Sequence, residues 1–448
     1  MIVLKFGGTS VGTAESIKKV VEIITKTDGL KIVVLSAVSG TTNTLVKISN
    51  YIYQGQKDEA LLTIHQLHNL YLNLINELYN TPLYKERARS FVLSKFNGLK
   101  TLIKNGDKGN IDNIVVAQGE ILSTNLVQLY LEESQISSSL ISALDFMEID
   151  PQNEPKTEML KERITPILNQ NSTQNIWITQ GFICTNASGE ISNLQRGGSD
   201  YSASLIGAAI HAKEIQIWTD IDGMHNNDPR FVDNTFSIEE ISFDEAAELA
   251  YFGAKILHPQ SLIPAKENNI PVRLKNTFNP ESKGTIIKNQ PVKNGVTAIA
   301  AKDGITAIKI KSYRMLLAYG FLKKVFEVFE KYKTPIDMIT TSEVAISLTI
   351  DDISYLAEII LELEPFGKVE VDADLSIICV AGDFSQKKEG ITAHVFNALK
   401  GIPIRMISYG GSNYNTSLLV KTDDKIAALN ALNLGLFKKK YLLSEVID

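Results

Sequence analysis

Lys5-Phe6-Gly7-Gly8-Thr9-Ser10 decides how this chain is read. The stretch follows Ile2-Val3-Leu4, an apolar run that predicts a buried first strand. It precedes Ala14 to Ile24, where Ile17, Val20, Val21 and Ile24 recur at helical spacing. Paired glycines on a strand-to-helix turn let backbone N–H groups approach an anion closely. A helix N-terminus beyond them adds a favourable dipole and unpaired donors. Lys5 adds a full positive charge. This is not the P-loop, whose lysine follows its glycines. Alone, the turn reads equally well as a tight corner beside a surface lysine, so the rest of the chain has to decide.

Working outward, Lys31 to Leu35 predicts a second buried strand, ending in the polar turn Ser36 to Asn43. Strand, glycine turn, helix, strand is the opening of an α/β sheet, whose ligands bind at the carboxyl ends of its strands. Ser36 and Thr42 are therefore candidates for holding a polar substrate, or else they cap the next helix. Tyr51 to about Lys104 predicts helices without chemistry. Ile114 to Ala117 predicts a strand running into Gly119, with Glu120 opening a helix. Glu120 is either an ordinary first-turn acid or a ligand for an ammonium group.

Ile176 to Ile183 predicts a further strand. Beyond it, Arg196-Gly197-Gly198-Ser199-Asp200 sets a second glycine pair between opposite charges and opens a helix of small residues. Arg196 has the fork of donors that clamps a carboxylate. Asp200, repelled by phosphate, orients Lys5 or holds an ammonium group; the plain alternative is a salt-bridged loop. Ile215 to Trp218 predicts a strand leading to Thr219-Asp220 and on to Asp228-Pro229-Arg230, and Phe252 to Pro259 carries Lys255. Lys5, Arg230 and Lys255 would neutralise a polyphosphate if the fold brings them together.

At 448 residues, two or three domains are expected. Hydrophobic content of 44%, charged content of 21% and a net charge of −6 without a basic tract argue against nucleic acid as a partner. No apolar run approaches the ~18 residues of a membrane span, and the N-terminal pattern is not that of a signal peptide. Cys184 and Cys379 lie far apart, and the six histidines show no ligand spacing, so neither a disulfide scaffold nor a protein-held metal is expected. A cytoplasmic location follows as the default.

The last third repeats itself. Val325-Phe326 leads to Pro335-Ile336-Asp337-Met338-Ile339-Thr340, and Val395-Phe396 leads to Pro403-Ile404-Arg405-Met406-Ile407-Ser408. Each copy continues into an alternating strand ending in Asp-Asp and then a helix. Two copies of one small α/β unit are expected.

Taken in order, Lys-Phe-Gly-Gly-Thr-Ser, Gly119-Glu120, Arg-Gly-Gly-Ser-Asp, Trp218-Thr219-Asp220 and Phe252-Gly253-Ala254-Lys255-Ile256-Leu257-His258-Pro259 resemble an aspartate kinase of the amino-acid kinase family over nearly the whole chain. The resemblance implies a three-layer α/β kinase domain at 1–292. It also implies a regulatory region at 297–448 of two ferredoxin-like ACT units, about 303–375 and 376–448, in tandem or interleaved. It implies ATP-dependent phosphorylation of the aspartate side-chain carboxylate to 4-phospho-L-aspartate, the first step of lysine, threonine and methionine biosynthesis. Mg2+ would be held mainly by the nucleotide phosphates.

Carried over by position, Lys5, Gly7, Gly8 and Thr9 resemble the phosphate cradle, and Thr219, Asp220, His225, Arg230 and Lys255 resemble nucleotide contacts. His225 departs from the family's usual tyrosine. Ser36, Thr42, Glu120, Arg196 and Ser199 resemble the aspartate pocket, with Lys5 and Asp200 catalytic. Met315, Gly320, Phe321, Leu322 and Asp337 resemble the effector site of the lysine-sensitive class, but Ala318 and Pro335 stand where hydroxyls are usual, so a weak response to lysine is expected. The paired units imply a homodimer or homotetramer, and a purely dimerising role is their alternative. Glutamate or carbamate kinases would lack these units, and a fused dehydrogenase would need a Gly-x-Gly-x-x-Gly that the chain does not have. A sensor with a dead kinase domain is the non-enzymatic alternative.

Overall fold

The structure is a computed structural model. It describes residues 1–105, 109–170, 174–194, 197–253, 257–289, 295–315, 319–384 and 390–444. They fall into two compact units, Met1–Met224 with Ser237–Phe243 and Leu257–Gln290, and His225–Phe236 with Asp244–Ile256 and Pro291–Asp448.

The first unit is built on β1 Ile2–Phe6, β2 Lys31–Leu35, β3 Ser139–Leu140, β4 Ile176–Gln180, a separate pair β5 Ile183–Thr185 and β6 Ile191–Asn193, then β7 Ile215–Thr219, β8 Glu240–Ser242, β9 Val272–Asn276 and β10 Thr285–Lys288. The sheet order is β3-β4-β2-β1-β7-β9-β10-β8, parallel from β3 to β9, with β10 antiparallel to β9. The helices are α1 Ala14–Lys26, α2 Thr41–Tyr53, α3 Lys57–Leu78, α4 Pro82–Asn105, α5 Ile111–Val116, α6 Gln118–Glu133, α7 Thr157–Gln170, α8 Gly198–Ala209, α9 Phe243–Tyr251 and α10 Ile263–Glu267.

Leu4 and Phe6 of β1 join Val33 and Leu35 of β2 in one apolar core with α1 to α6. Strand alternation turns Val3 and Lys5 to the other face, where α8 packs on β1, β2 and β7. That alternation is what sends the Lys5 side chain toward α8. Thr13, not the glycines, caps α1: its Oγ1 accepts the Ser16 N–H at 3.1 Å. Gly8 instead precedes a single 3-10 turn, Thr9–Val11.

Ile114 to Ala117 is not a strand. The run belongs to α5, which ends at Val116, and α6 begins at Gln118. Val115 and Val116 are buried, but on a helix, and Ala117 is the buried residue that joins α5 to α6. A short apolar run cannot distinguish the two settings.

The second unit, besides the loop His225–Phe236 and all but the first residue of α9, is a six-stranded antiparallel sheet. Its elements are β11 Val296–Lys311, α11 Phe321–Lys331, β12 Met338–Thr341, β13 Ala345–Ile350, α12 Leu356–Leu363, β14 Lys368–Gly382, α13 Ile391–Ala398, β15 Met406–Tyr409, β16 Asn415–Lys421 and α14 Lys425–Ser444. The order is β12-β13-β11-β14-β16-β15. β11 and β14 pair along nearly their whole lengths, from Val296 opposite Gly382 to Lys311 opposite Lys368. β13 flanks the C-terminal part of β11, and β16 flanks the C-terminal part of β14.

Each half of this sheet has its own helical cover. Ile308, Ile346 and Leu348 pack with Val325 and Phe329 of α11 and Ile359 of α12. Ile299, Ile378 and Leu418 pack with Val395 of α13 and Leu429 and Leu432 of α14. Each half thus has the four-strand, two-helix composition of a ferredoxin-like unit. The second half takes its fourth strand from the first residues of β11, so the two copies are interleaved through their long strands.

Candidate active site

The carboxyl ends of β1, β2, β4 and β7 open onto a cavity of about 530 Å³. Of the residues singled out in the sequence, Gly7, Gly8, Thr9, Ser36, Thr42, Glu120, Ser199, Thr219 and Asp220 line it. Segments more than 200 residues apart therefore share one crevice.

Lys5, 9% exposed, sends its Nζ to Asp200 Oδ1 in the first turn of α8, at 2.7 Å. Ser36 Oγ donates to Ser199 Oγ at 2.9 Å, joining the end of β2 to the start of α8. Gly181 makes that approach possible: a Cβ there would lie 2.4 Å from the Ser199 Cβ. Gly119 does the same for α6, since a Cβ would fall 2.8 Å from the Ala37 Cβ. The close packing brings Glu120 Oε1 to the Ala37 N–H at 3.2 Å. Glu120 is 3% exposed, and among the described residues its buried Oε2 has no hydrogen-bond partner. Burial pushes its carboxyl up to about 7, against the Ala37 N–H and the charge of Lys5, which pull it down. A buried acid with one unpaired oxygen, on a residue that lines a polar cavity, suits a cationic ligand.

One expected donor is already used. The Gly7 N–H bonds the Trp218 carbonyl at 3.1 Å and extends the β1–β7 ladder. An anion therefore meets Gly8 and the turn after it, not Gly7. Thr219 Oγ1 donates to Asp220 Oδ1 at 3.1 Å. Arg196 and Lys255 lie outside the described residues.

His225 and Arg230 belong to the second unit. There His225 Nδ1 lies 3.2 Å from Thr235 Oγ1, and Arg230 forks onto Asp228 through Nη2 at 2.6 Å and Nε at 3.0 Å.

The residues marked for an effector also sit in the second unit. Met315 and Phe321 pack against the α11–α12 core, Gly320 precedes α11 with φ +78°, and Leu322 is 39% exposed. Asp337 is buried. Its Oδ1 accepts from Lys302 Nζ at 2.8 Å and from the Tyr251 hydroxyl at 3.1 Å, and Lys302 also pairs with Asp351 at 2.7 Å. Burial holds the Asp337 carboxyl above its ordinary value despite Lys302. Leu316 and Ala318 lie outside the described residues.

Sequence reasoning missed Phe182, which lines the cavity in a left-handed conformation, φ +65°. The Ser202 Oγ accepts its N–H at 2.8 Å and helps hold it there. A strained non-glycine residue of this kind costs about 1 kcal/mol and clusters at functional sites. No local signal announces it. Ser39 and Asn43 also line the cavity, and they lie in the polar turn already noted.

The sequence matches the amino acid kinase family over residues 1–276 and an ACT domain over residues 378–434. It is 32% identical over 450 residues to the lysine-sensitive aspartokinase 3 of Escherichia coli K12, covering 98% of this chain and 99% of that one. It is 33% identical over 468 residues to the chloroplastic aspartokinase 1 of Arabidopsis thaliana, covering 97% and 80%. The crystal structure of E. coli aspartokinase III in complex with aspartate and ADP superposes with a TM-score of 0.83 at 31% identity, covering 98% of this chain and 100% of that one. The motifs, the crevice they line and this near-full-length likeness agree: the chain belongs to the amino acid kinase family, among the aspartokinases.

Proposed function

We infer that the chain transfers the γ-phosphoryl group of ATP to the side-chain carboxylate of L-aspartate, giving 4-phospho-L-aspartate and ADP. The observation that carries the mechanism is Glu120, which lines the cavity with Gly8 and Thr9 and keeps one buried oxygen unpaired among the described residues. Glu120 holds the aspartate ammonium, Ser36, Thr42 and Ser199 its polar groups, and Arg196 its α-carboxylate. The attacking carboxylate has a reference pKa of ~3.9, so it is ionised without a general base. Catalysis then reduces to alignment and charge neutralisation. Lys5, oriented by Asp200, meets the charge that moves from the γ-phosphoryl oxygens to the β–γ bridge as the P–O bond breaks.

ATP enters as its Mg2+ complex. Among the described residues no group of three or more His, Cys, Asp or Glu is placed to hold a metal. Asp220 on the cavity wall would supply one carboxylate, which suits an ion held mostly by phosphates and water. The ion would offset phosphate charge. Thr219, His225, Arg230 and Lys255 complete the nucleotide contacts. Lys5→Ala tests the reading: hydroxamate formation dependent on ATP and aspartate falls at least about 100-fold with circular dichroism unchanged. Normal turnover by that variant rejects it.

We take residues 1–292 as the catalytic domain and 297–448 as the regulatory one, although the loop 225–236 and α9 pack within the second unit. We propose a weak response to lysine. Pro335 offers no hydroxyl to an effector, and the candidate carboxylate Asp337 has only Oδ2 left, since Lys302 and Tyr251 take Oδ1. Assembly as a homodimer or homotetramer is supported by the sheet edges β12 and β15, which expose Ile339, Ile407 and Tyr409. No helix among the described residues is long and apolar enough to cross a membrane, and a cytoplasmic reaction suits its free substrates.

A further inference from the structure

The turn that carries Gly8 and Thr9 is fastened to the end of β9 by a residue outside every motif noted above. Ser10 Oγ lies 2.7 Å from Thr277 Oγ1 and 3.4 Å from the Trp218 carbonyl. Ser10 has one hydroxyl proton. Donated to Trp218, it leaves Thr277 to donate to Ser10, so the three groups form one directed chain. Ser10 is 0% and Thr277 1% exposed. With water excluded, each hydroxyl depends on the other, and a shift of either segment strands a buried polar group.

Thr277 also holds the segment that follows β7. Its N–H donates to the Thr219 carbonyl at 2.8 Å. Further along that segment, Asp222 Oδ1 accepts from Asn276 Nδ2 at 2.8 Å and from Asn279 Nδ2 at 3.2 Å. Asp220 therefore lies between two residues that are both tied to the chain leaving β9. Gly8, Thr9, Thr219 and Asp220 all line the cavity. These residues, Ser10 and Thr277 included, belong to the first unit.

We propose that Ser10 and Thr277 are positioning residues for nucleotide binding: their hydroxyl pair sets the spacing between the Gly8–Thr9 turn and the Thr219–Asp220 segment. The inference rests on the reading of those two segments as nucleotide contacts. A nucleotide that touches both needs them at one separation. A separation fixed during folding does not have to be supplied from the binding energy of ATP.

The test uses the full chain. Thr277→Val keeps the side-chain shape and the backbone N–H but loses the hydroxyl. It is compared with Ser10→Ala, with the two combined and with Thr277→Ser. Initial rates are measured against ATP and against aspartate, with a thermal melt of each variant. The KM for ATP is expected to rise about three- to tenfold in Thr277→Val and in Ser10→Ala. The kcat and the KM for aspartate stay within about twofold, and Thr277→Ser keeps the parent's KM for ATP. The combined variant has a KM for ATP close to that of the worse single one, because one hydrogen bond is lost in each case. It nevertheless melts above Ser10→Ala, in which the Thr277 hydroxyl is left without its partner. An unchanged KM for ATP in folded variants overturns the proposal. So does an equal rise in both KM values, or a KM for ATP that recovers with the melting temperature in the combined variant, since the pair then serves packing alone. Asp220→Ala separates the two levels. If it leaves the KM for ATP unchanged, the nucleotide reading of this wall fails, and the proposal with it. If it raises that KM while the hydroxyl variants do not, only the spacing role fails.

Discussion

Glu120→Gln gives the sharpest test of the site. The change keeps shape and hydrogen bonding to the Ala37 N–H but removes the charge. In the ligand-free chain, holding Glu120 ionised is unfavourable, because burial has moved its carboxyl from 4.5 to about 7. At 1.36 kcal/mol per pH unit that is about 3 kcal/mol against the charged form. The native chain therefore binds a proton that the unfolded chain has lost between about pH 4.5 and 7, so this group's contribution to stability declines as pH rises through that window and is level above it. The glutamine variant is expected to be more stable than the parent at pH 8, by up to about 3 kcal/mol, and to lack that slope. Its aspartate binding should fall, since a charge-assisted hydrogen bond is worth about 1.5–3 kcal/mol, or roughly 10- to 150-fold in kcat/KM for aspartate. In the parent, kcat/KM for aspartate should drop as pH falls below about 7, toward tenfold per unit, because the protonated acid cannot hold an ammonium ion. A coupled ADP-release assay from pH 6 to 9 and thermal melts at pH 6 and 8 check both halves. A variant that binds aspartate as well as the parent does, or a flat parent profile, refutes the assignment.

The other expectations are simpler. Gly181→Ala drives a Cβ to within 2.4 Å of Ser199, so the KM for aspartate should rise tenfold or more while ATP binding changes little; steady-state kinetics for both substrates decide it. Half-inhibition by lysine should require millimolar concentrations, and an inhibition curve centred in the micromolar range would contradict the account of Asp337 and Pro335. Cys184, whose thiol burial pushes up to about 12, and Cys379, which burial also holds well above its ordinary value, should not react with an aromatic disulfide reagent at pH 8 until guanidinium unfolds the chain. A fast-reacting thiol in the native enzyme would show that one of these cores opens.

Much of this site was legible in the residues because its parts lie at ends of strands that periodicity locates. Lys5, Ser36, Ser199 and Thr219 needed only the rule that ligands gather at carboxyl ends of parallel strands. Glu120 was found despite a wrong element before it. Gly119 and the acid after it carried the signal, whereas the run from Ile114 fits strand and helix alike. The use of the Gly7 N–H was hidden because register between β1 and β7, strands more than 200 residues apart, decides it. Phe182 was hidden because nothing in its own chemistry calls for a left-handed backbone, and the Ser202 hydroxyl that helps hold it lies 20 residues on. The repeat pattern showed two copies, but local pattern says nothing about which copy lends a strand to the other. Nor could it show that the turn after Gly8 is joined to the end of β9, since Ser10 and Thr277 look like any polar residues until they are seen buried together.

The exchange of strand segments through β11 and β14 has an evolutionary corollary. Neither repeat can be excised, swapped with a homologue or expressed singly by cutting the gene between them, since a break near residue 375 severs β14 within its ladder and orphans the opening residues of β11. The pair should melt in one transition and be inherited as one block. Sequence drift in either copy is then constrained by the other, and a recombinant library should respect them as a single exchangeable part.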